Sequence, residues 1–175
     1  GIFMDETCVR EMLAQGTYLV PTVSALRNIL DNARNGIPAY VVEKAERISE
    51  NHRRSLQMYY QAGGNIAMGT DAGTPFNHHG ANAMELEYMA DLGVSPVDAL
   101  RFGTSSSADL MDLADQGRVA VGMAADFLLV DGNPGDDIRM ASRRENHRLV
   151  IKGGLAVAGP AAATAGPNFQ RMAAF

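Results

Sequence analysis

Apolar positions recur along the chain with two periods, and the change from one to the other marks out its elements. After Ile2, Phe3 and Met4, Asp5 is placed to cap a helix running to about Gln15. Val9, Met12 and Leu13 give that helix one apolar stripe, and Gly16 can close its last turn. TYLVPTV, residues 17–23, is short, β-branched and aromatic, and predicts a buried strand whose pairing stops at Pro21. A polar helical stretch follows to Asn35. Pro38 then opens a longer helix to about Ala62, with Val41, Val42, Ala45, Ile48, Leu56 and Tyr59 as its inner face and Gly63-Gly64 as its stop. NIAMGT, residues 65–70, predicts a second short strand, and the loop TDAGTPFNHHGAN lies at its C-terminal end. Further helices are predicted over about 81–92, from the Ser95-Pro96 start, and over 104–113.

Near residue 117 the character changes. GRVAVGMAADFLLVDG and LVIKGGLAVAG are short β-rich pieces with glycine turns, and predict a small antiparallel sheet. The expected organisation is therefore α/β over residues 1–116, a β-rich unit over 117–160, and a loosely held Ala/Gly/Pro-rich tail over 161–175. Two parallel strands do not make a sheet covered on both faces. The α/β portion is thus expected to be a piece of a larger fold, completed by further chain or by a second subunit.

Composition narrows the partners. Hydrophobic residues at 46% and charged residues at 20% are globular proportions. A net charge of −5 offers no footprint for nucleic acid or an anionic membrane. The one basic run, 143-RRENHR-148, is broken by Glu145 and reads as a solvated face. No apolar run approaches the roughly 20 residues that span a bilayer. With Cys8 as the only cysteine, the chain can form neither an internal disulfide nor a Cys-based zinc site. That pattern suits a reducing compartment, and a cytoplasmic location is the expectation.

The candidate chemistry lies just past the second strand, where ligand sites of α/β folds collect. Asp71 could ligate a divalent metal or take a proton from metal-bound water; equally, Asp in D-x-G commonly caps a turn. The adjacent His78 and His79 have diverging side chains, so both cannot readily reach one ion. Framed by Pro75 and Gly80, they read as a rim loop from which one could touch substrate. His52 and His147 are expected in solvent, and Glu85 and Glu87 in a first helical turn, where acids favour the dipole. TSSSAD lacks a nameable base partner and is no nucleophile motif.

Three segments together, 67-AMGTDAGTP-75, 95-SPVDALRFGTSSSADLMDLADQGRVAVGMAADFLLVDGNP-134 and 149-LVIKGG-154, resemble the C-terminal part of the metal-dependent amidohydrolase superfamily, in its prolidase-like and imidazolonepropionase-like branch. The resemblance implies the last two strands of a TIM (β/α)8 barrel, with TYLVPTV as strand seven and NIAMGT as strand eight, plus part of a composite β-sandwich. It implies that Asp71 is the strand-eight aspartate, a metal ligand and proton shuttle for a metal-activated hydroxide, and that His79 is a candidate substrate contact. One or two zinc ions are the implied cofactor. The family's His-x-His, its bridging lysine or acid and its two later histidines have no counterpart here, so the chain alone is expected to be inactive and to need an N-terminal part. The implied activity is prolidase-like cleavage of amide or peptide-like C–N bonds in a small-molecule or dipeptide-like substrate. Alternatives are a cyclic-amide hydrolase of the imidazolonepropionase type, a non-catalytic scaffold relative, and assembly as a homo-oligomer.

Overall fold

The computed structural model of the chain describes residues 1–163. Helix α1 (Glu6–Ala14) starts where its cap predicts: the Asp5 carboxylate accepts from the Cys8 N–H at 2.8 Å. It ends in a Schellman turn, in which the Gly16 N–H donates to Leu13 and the Thr17 N–H to Met12. Gly16 takes φ 63°, a left-handed conformation that glycine adopts without strain. The same closure ends α3 (Ala39–Gln61) at Gly63 and α4 (Met84–Asp91) at Gly93.

Strands β1 (Tyr18–Leu19) and β2 (Asn65–Ile66) pair in parallel, Leu19 opposite Ile66. Both are shorter than their apolar runs. Pro21 has no N–H to offer, and beyond Ile66 the backbone turns to other partners. The Ala67 N–H still donates to Leu19, but the Met68 N–H donates to the Phe102 carbonyl at 3.0 Å. Helix α2 (Val23–Asp31) leaves the end of β1, while α3 runs back along the layer to feed β2. Helices α4, α5 (Pro96–Phe102) and α6 (Ser105–Leu110) follow. Leu19, Leu56, Tyr59, Ile66, Met89 and Phe102 are the heart of the buried apolar cluster around these strands.

The second sheet is antiparallel in the order β3-β4-β5, with β3 (Phe127–Val130) and β5 (Leu155–Ala158) flanking β4 (His147–Lys152). Residues 117–123, expected to be β-rich, form no strand, and Val119 and Val121 stand fully in solvent at 83% and 107% exposure. An extended run becomes a strand only when a neighbour supplies the ladder, and none pairs with this one among the described residues. The helical turn α7 (Arg139–Ser142) joins this sheet to the helices, for Ile138 and Ala141 complete the same buried cluster. Of the expected loose tail, residues from 164 onward lie outside the described residues, and Pro160–Ala163 form a 3-10 turn. No described helix is long and apolar enough to cross a membrane.

Candidate functional site

The loop after β2 presents one carboxylate in an unusual way. Asp71 is exposed and takes φ 52°, a left-handed conformation that Asp tolerates better than most residues. Unlike Asp5, it caps nothing: its carboxylate receives no hydrogen bond from the described residues. The turn is held instead through its backbone. The Asp71 carbonyl accepts from the Thr74 hydroxyl at 3.1 Å and from the Asn77 side-chain amide at 3.1 Å. Asn77 is only 4% exposed, and its amide also donates to the Thr70 carbonyl at 2.5 Å. The Gly73 N–H returns a bond to the Asn77 carbonyl at 2.8 Å. Asn77 is thus the internal brace of the turn, a role that no local signal in TPFNHHG announces. Replacing it with alanine strips the buried Thr70 carbonyl of a donor and removes one of the donors to the Asp71 carbonyl, which costs about 2 kcal/mol; urea denaturation of Asn77→Ala should show that loss.

The neighbouring wall comes from the end of β1. Val20 packs directly on the Gly69 backbone, where a Cβ would lie 2.4 Å from the valine Cγ1. Two residues on, Thr22 takes φ 54°, an outlier for a β-branched side chain. Buried groups on both sides fix this corner. The His52 Nε2–H donates to the Pro21 carbonyl at 2.7 Å. Glu85, which is fully buried, accepts from the N–H groups of Val23 and Ser24, each at 2.7 Å, and from the Ser24 hydroxyl at 2.5 Å.

His52 corrects the sequence reading, and Glu85 adds to it. His52 is not in solvent but 7% exposed. It continues the stripe of Ala45, Ile48, Leu56 and Tyr59 at helical spacing, a signal available in the sequence and outweighed there by its neighbours Arg53 and Arg54. Burial lowers its pKa, opposed by the bond to Pro21, and because a carbonyl can only accept, the neutral ring carries its proton on Nε2. Glu85 stands in the first turn of α4, as expected, while its carboxylate bonds to the N-terminus of α2. Burial pushes its pKa up against the Ser24 hydroxyl and the two amides. Glu87 likewise faces another element, accepting from the buried Ser142 hydroxyl and from both Nε and Nη2 of Arg143 at 2.9 Å. His147, also expected in solvent, is half-buried and donates from Nε2 to the Ala141 carbonyl at 2.9 Å.

Both loop histidines are exposed, and only His79 is seen to reach back over the turn, where a methyl on Gly73 would sit 3.7 Å from its Nε2. His79 therefore borders the Asp71 turn. An apolar recess of about 350 Å³ opens at the other wall, lined by Val20, Thr22, Ala25, Leu26 and Ile48, with His52 as a polar member. Among the described residues no three of His, Cys, Asp and Glu converge on a point that could hold a metal. Asp71 thus offers one donor of a set, and zinc sites take three or four protein ligands.

The chain is similar in sequence and fold to known proteins. The ochratoxinase of Aspergillus niger is 26% identical over 163 residues, which cover 90% of this chain and 33% of that protein. The structure of an Xaa-Pro dipeptidase with bound methionine superposes with a TM-score of 0.79 and 35% identity, over 91% of this chain and 39% of the other. A prolidase in complex with N-methylphosphonate-L-proline gives a TM-score of 0.79 and 27% identity, over 89% and 38%. The chain spans about a third of the length of the curated relatives it matches. The amidohydrolase family description matches residues 3–157, nearly the whole of the described chain, and the chain belongs to that family.

Proposed function

We propose that the chain is the C-terminal segment of a metal-dependent hydrolase that cleaves amide or peptide-like C–N bonds, with Asp71 as metal ligand and proton shuttle. In this reading β1 and β2 are the last two strands of a TIM barrel, residues 1–116 belong to that barrel, and residues 117–160 belong to a composite β-sandwich. The observation that carries the reading is the Asp71 carboxylate, exposed on a braced turn in the loop that leaves β2 and accepting no hydrogen bond from the described residues. A carboxylate with a structural task would be hydrogen-bonded, as those of Asp5, Glu85 and Glu87 are.

A divalent metal at this site, one or two zinc ions in our reading, would supply Lewis acidity and bring water's pKa toward neutrality. Asp71 would contribute one ligand, accept the proton released as the nucleophile forms, and return it to the departing amine. His79 would touch the substrate at the rim, and the apolar recess beside Thr22 would take an apolar side chain. The likeness to an Xaa-Pro dipeptidase and to a proline-phosphonate-bound prolidase favours a dipeptide with proline on the leaving side over a cyclic amide.

Two experiments test this. The intact enzyme, loaded with zinc, should hydrolyse members of an Xaa-Pro dipeptide panel; absence of turnover on these and on N-acyl amino acids would refute the hydrolase reading. The 175-residue chain by itself should bind zinc weakly and turn over nothing, since it brings one ligand. Stoichiometric zinc together with dipeptidase activity in this chain would show that its ligand set is already sufficient.

A further inference from the structure

The two walls of the site are mechanically joined at a strained point. Thr22 is β-branched and left-handed, and such backbone strain persists only where surrounding structure over-determines it. Here the over-determination is visible. His52 of α3 holds the carbonyl before Thr22, and Glu85 of α4 holds the two N–H groups after it. Glu85 is fully buried, and burying a carboxylate is costly without a matching set of donors. A side-chain cap at position 22 would act from extended backbone, and in the left-handed conformation Thr22 leaves the first N–H groups of α2 to Glu85. Thr22 makes no side-chain cap there; its hydroxyl turns back to the Val20 carbonyl at 3.4 Å.

What the corner does is fix Val20. That side chain lies directly on the Gly69 backbone, two residues before Asp71, and the Thr22 hydroxyl sits 3.9 Å from the place a Gly69 Cβ would occupy. The path from Glu85 through the N–H groups of Val23 and Ser24, the Thr22 corner, Val20 and Gly69 to Asp71 consists of hydrogen bonds, covalent backbone and one close packed contact. Asn77 braces the Asp71 turn from the other side. We propose that Glu85 and His52 are positioning residues, which hold the strained Thr22 corner so that Val20 sets the placement of the Asp71 turn. The proposal rests on the reading of Asp71 as the reacting carboxylate, but its geometric half can be tested without any activity.

Amide hydrogen exchange at Met68 and Gly73, whose N–H groups bond to the Phe102 and Asn77 carbonyls on either side of residues 69–71, is the readout, compared among the parent protein, Glu85→Gln and Thr22→Gly. Glu85→Gln keeps the size of the side chain and replaces one acceptor oxygen with a donor facing a backbone N–H. Thr22→Gly leaves the clamp in place and removes the left-handed strain. Both variants should exchange at least tenfold faster at Met68 and Gly73. Thr22→Gly should do so while raising Tm, a combination that a purely structural corner does not produce. In the intact enzyme Thr22→Gly should also lower kcat/KM about tenfold, mainly through kcat. Exchange changes confined to residues 21–26 would overturn the proposal. So would a raised Tm in Thr22→Gly with unaltered exchange at Met68 and Gly73. If the intact enzyme hydrolyses no amide, the functional reading falls, and the exchange data still decide whether Glu85 positions the turn.

Discussion

Asp71→Asn in the intact enzyme is expected to lower kcat by roughly 10²-fold or more, the loss that follows removal of a positioned general acid/base. The substitution is diagnostic because the structure leaves it nothing else to do. The carboxylate is exposed and accepts no hydrogen bond from the described residues, so no internal contact is lost. Asn tolerates the left-handed φ of 52° as well as Asp does. The turn is braced through the Asp71 carbonyl and Asn77, and both survive. Stability should therefore stay within about 0.5 kcal/mol of the parent, as for a surface substitution. A drop in turnover then reports chemistry. Thermal melts and steady-state kinetics on the same preparation separate the two quantities, and near-normal turnover would remove Asp71 from the mechanism.

The parts of this site that the sequence makes legible are those written locally. Asp5, Ser95, Gly16, Gly63 and Gly93 mark helix ends through bonds to residues at most five positions away, and all five act as they read. The position of Asp71 at the end of β2 follows from the short apolar run before it. The bracing of the site is not legible in that way. Glu85 bonds to residues 61 and 62 positions away, and Glu87 to residues 55 and 56 away. Within α4 both look like ordinary first-turn acids, because the helix that Glu85 caps is a different one. His52 is the intermediate case. Its helical spacing from Ile48 and Leu56 places it on the inner face, yet its flanking arginines suggest the outer one. The strands came out shorter than their apolar runs for a similar reason, since a ladder needs a neighbour, and the neighbours of Met68 prove to be Phe102 and Ser107.

The largest expected stability effect belongs to Glu87, which ties α4 to the turn before β4. Its side chain is 11% exposed, and its partner Arg143 is 43% exposed. Glu87→Ala removes two charge-assisted bonds and leaves the buried Ser142 hydroxyl without its acceptor. Arg143 can still turn toward water, so the cost falls at about 2–3 kcal/mol, below that of breaking a fully buried pair. The pH dependence identifies the cause. The Arg143 guanidinium, helped by the Ser142 hydroxyl and opposed by burial, holds the Glu87 pKa below its ordinary 4.5. Its contribution is therefore present above pH 4.5 and lost as pH falls through the folded-state pKa. Two residues away the sign reverses. Burial holds the Glu85 pKa above 4.5, so its protonated form favours the fold, and that advantage disappears as pH rises from 4.5 through its folded-state pKa. Urea denaturation from about pH 3 to about pH 8 should then show a flattened acid limb in Glu87→Gln and a flattened fall toward neutrality in Glu85→Gln. An acid limb unchanged in Glu87→Gln would mean that the ion pair to Arg143 contributes nothing, and would leave the Ser142 hydroxyl bond and the packing of Ile138 and Ala141 as the links from α4 to the turn before β4.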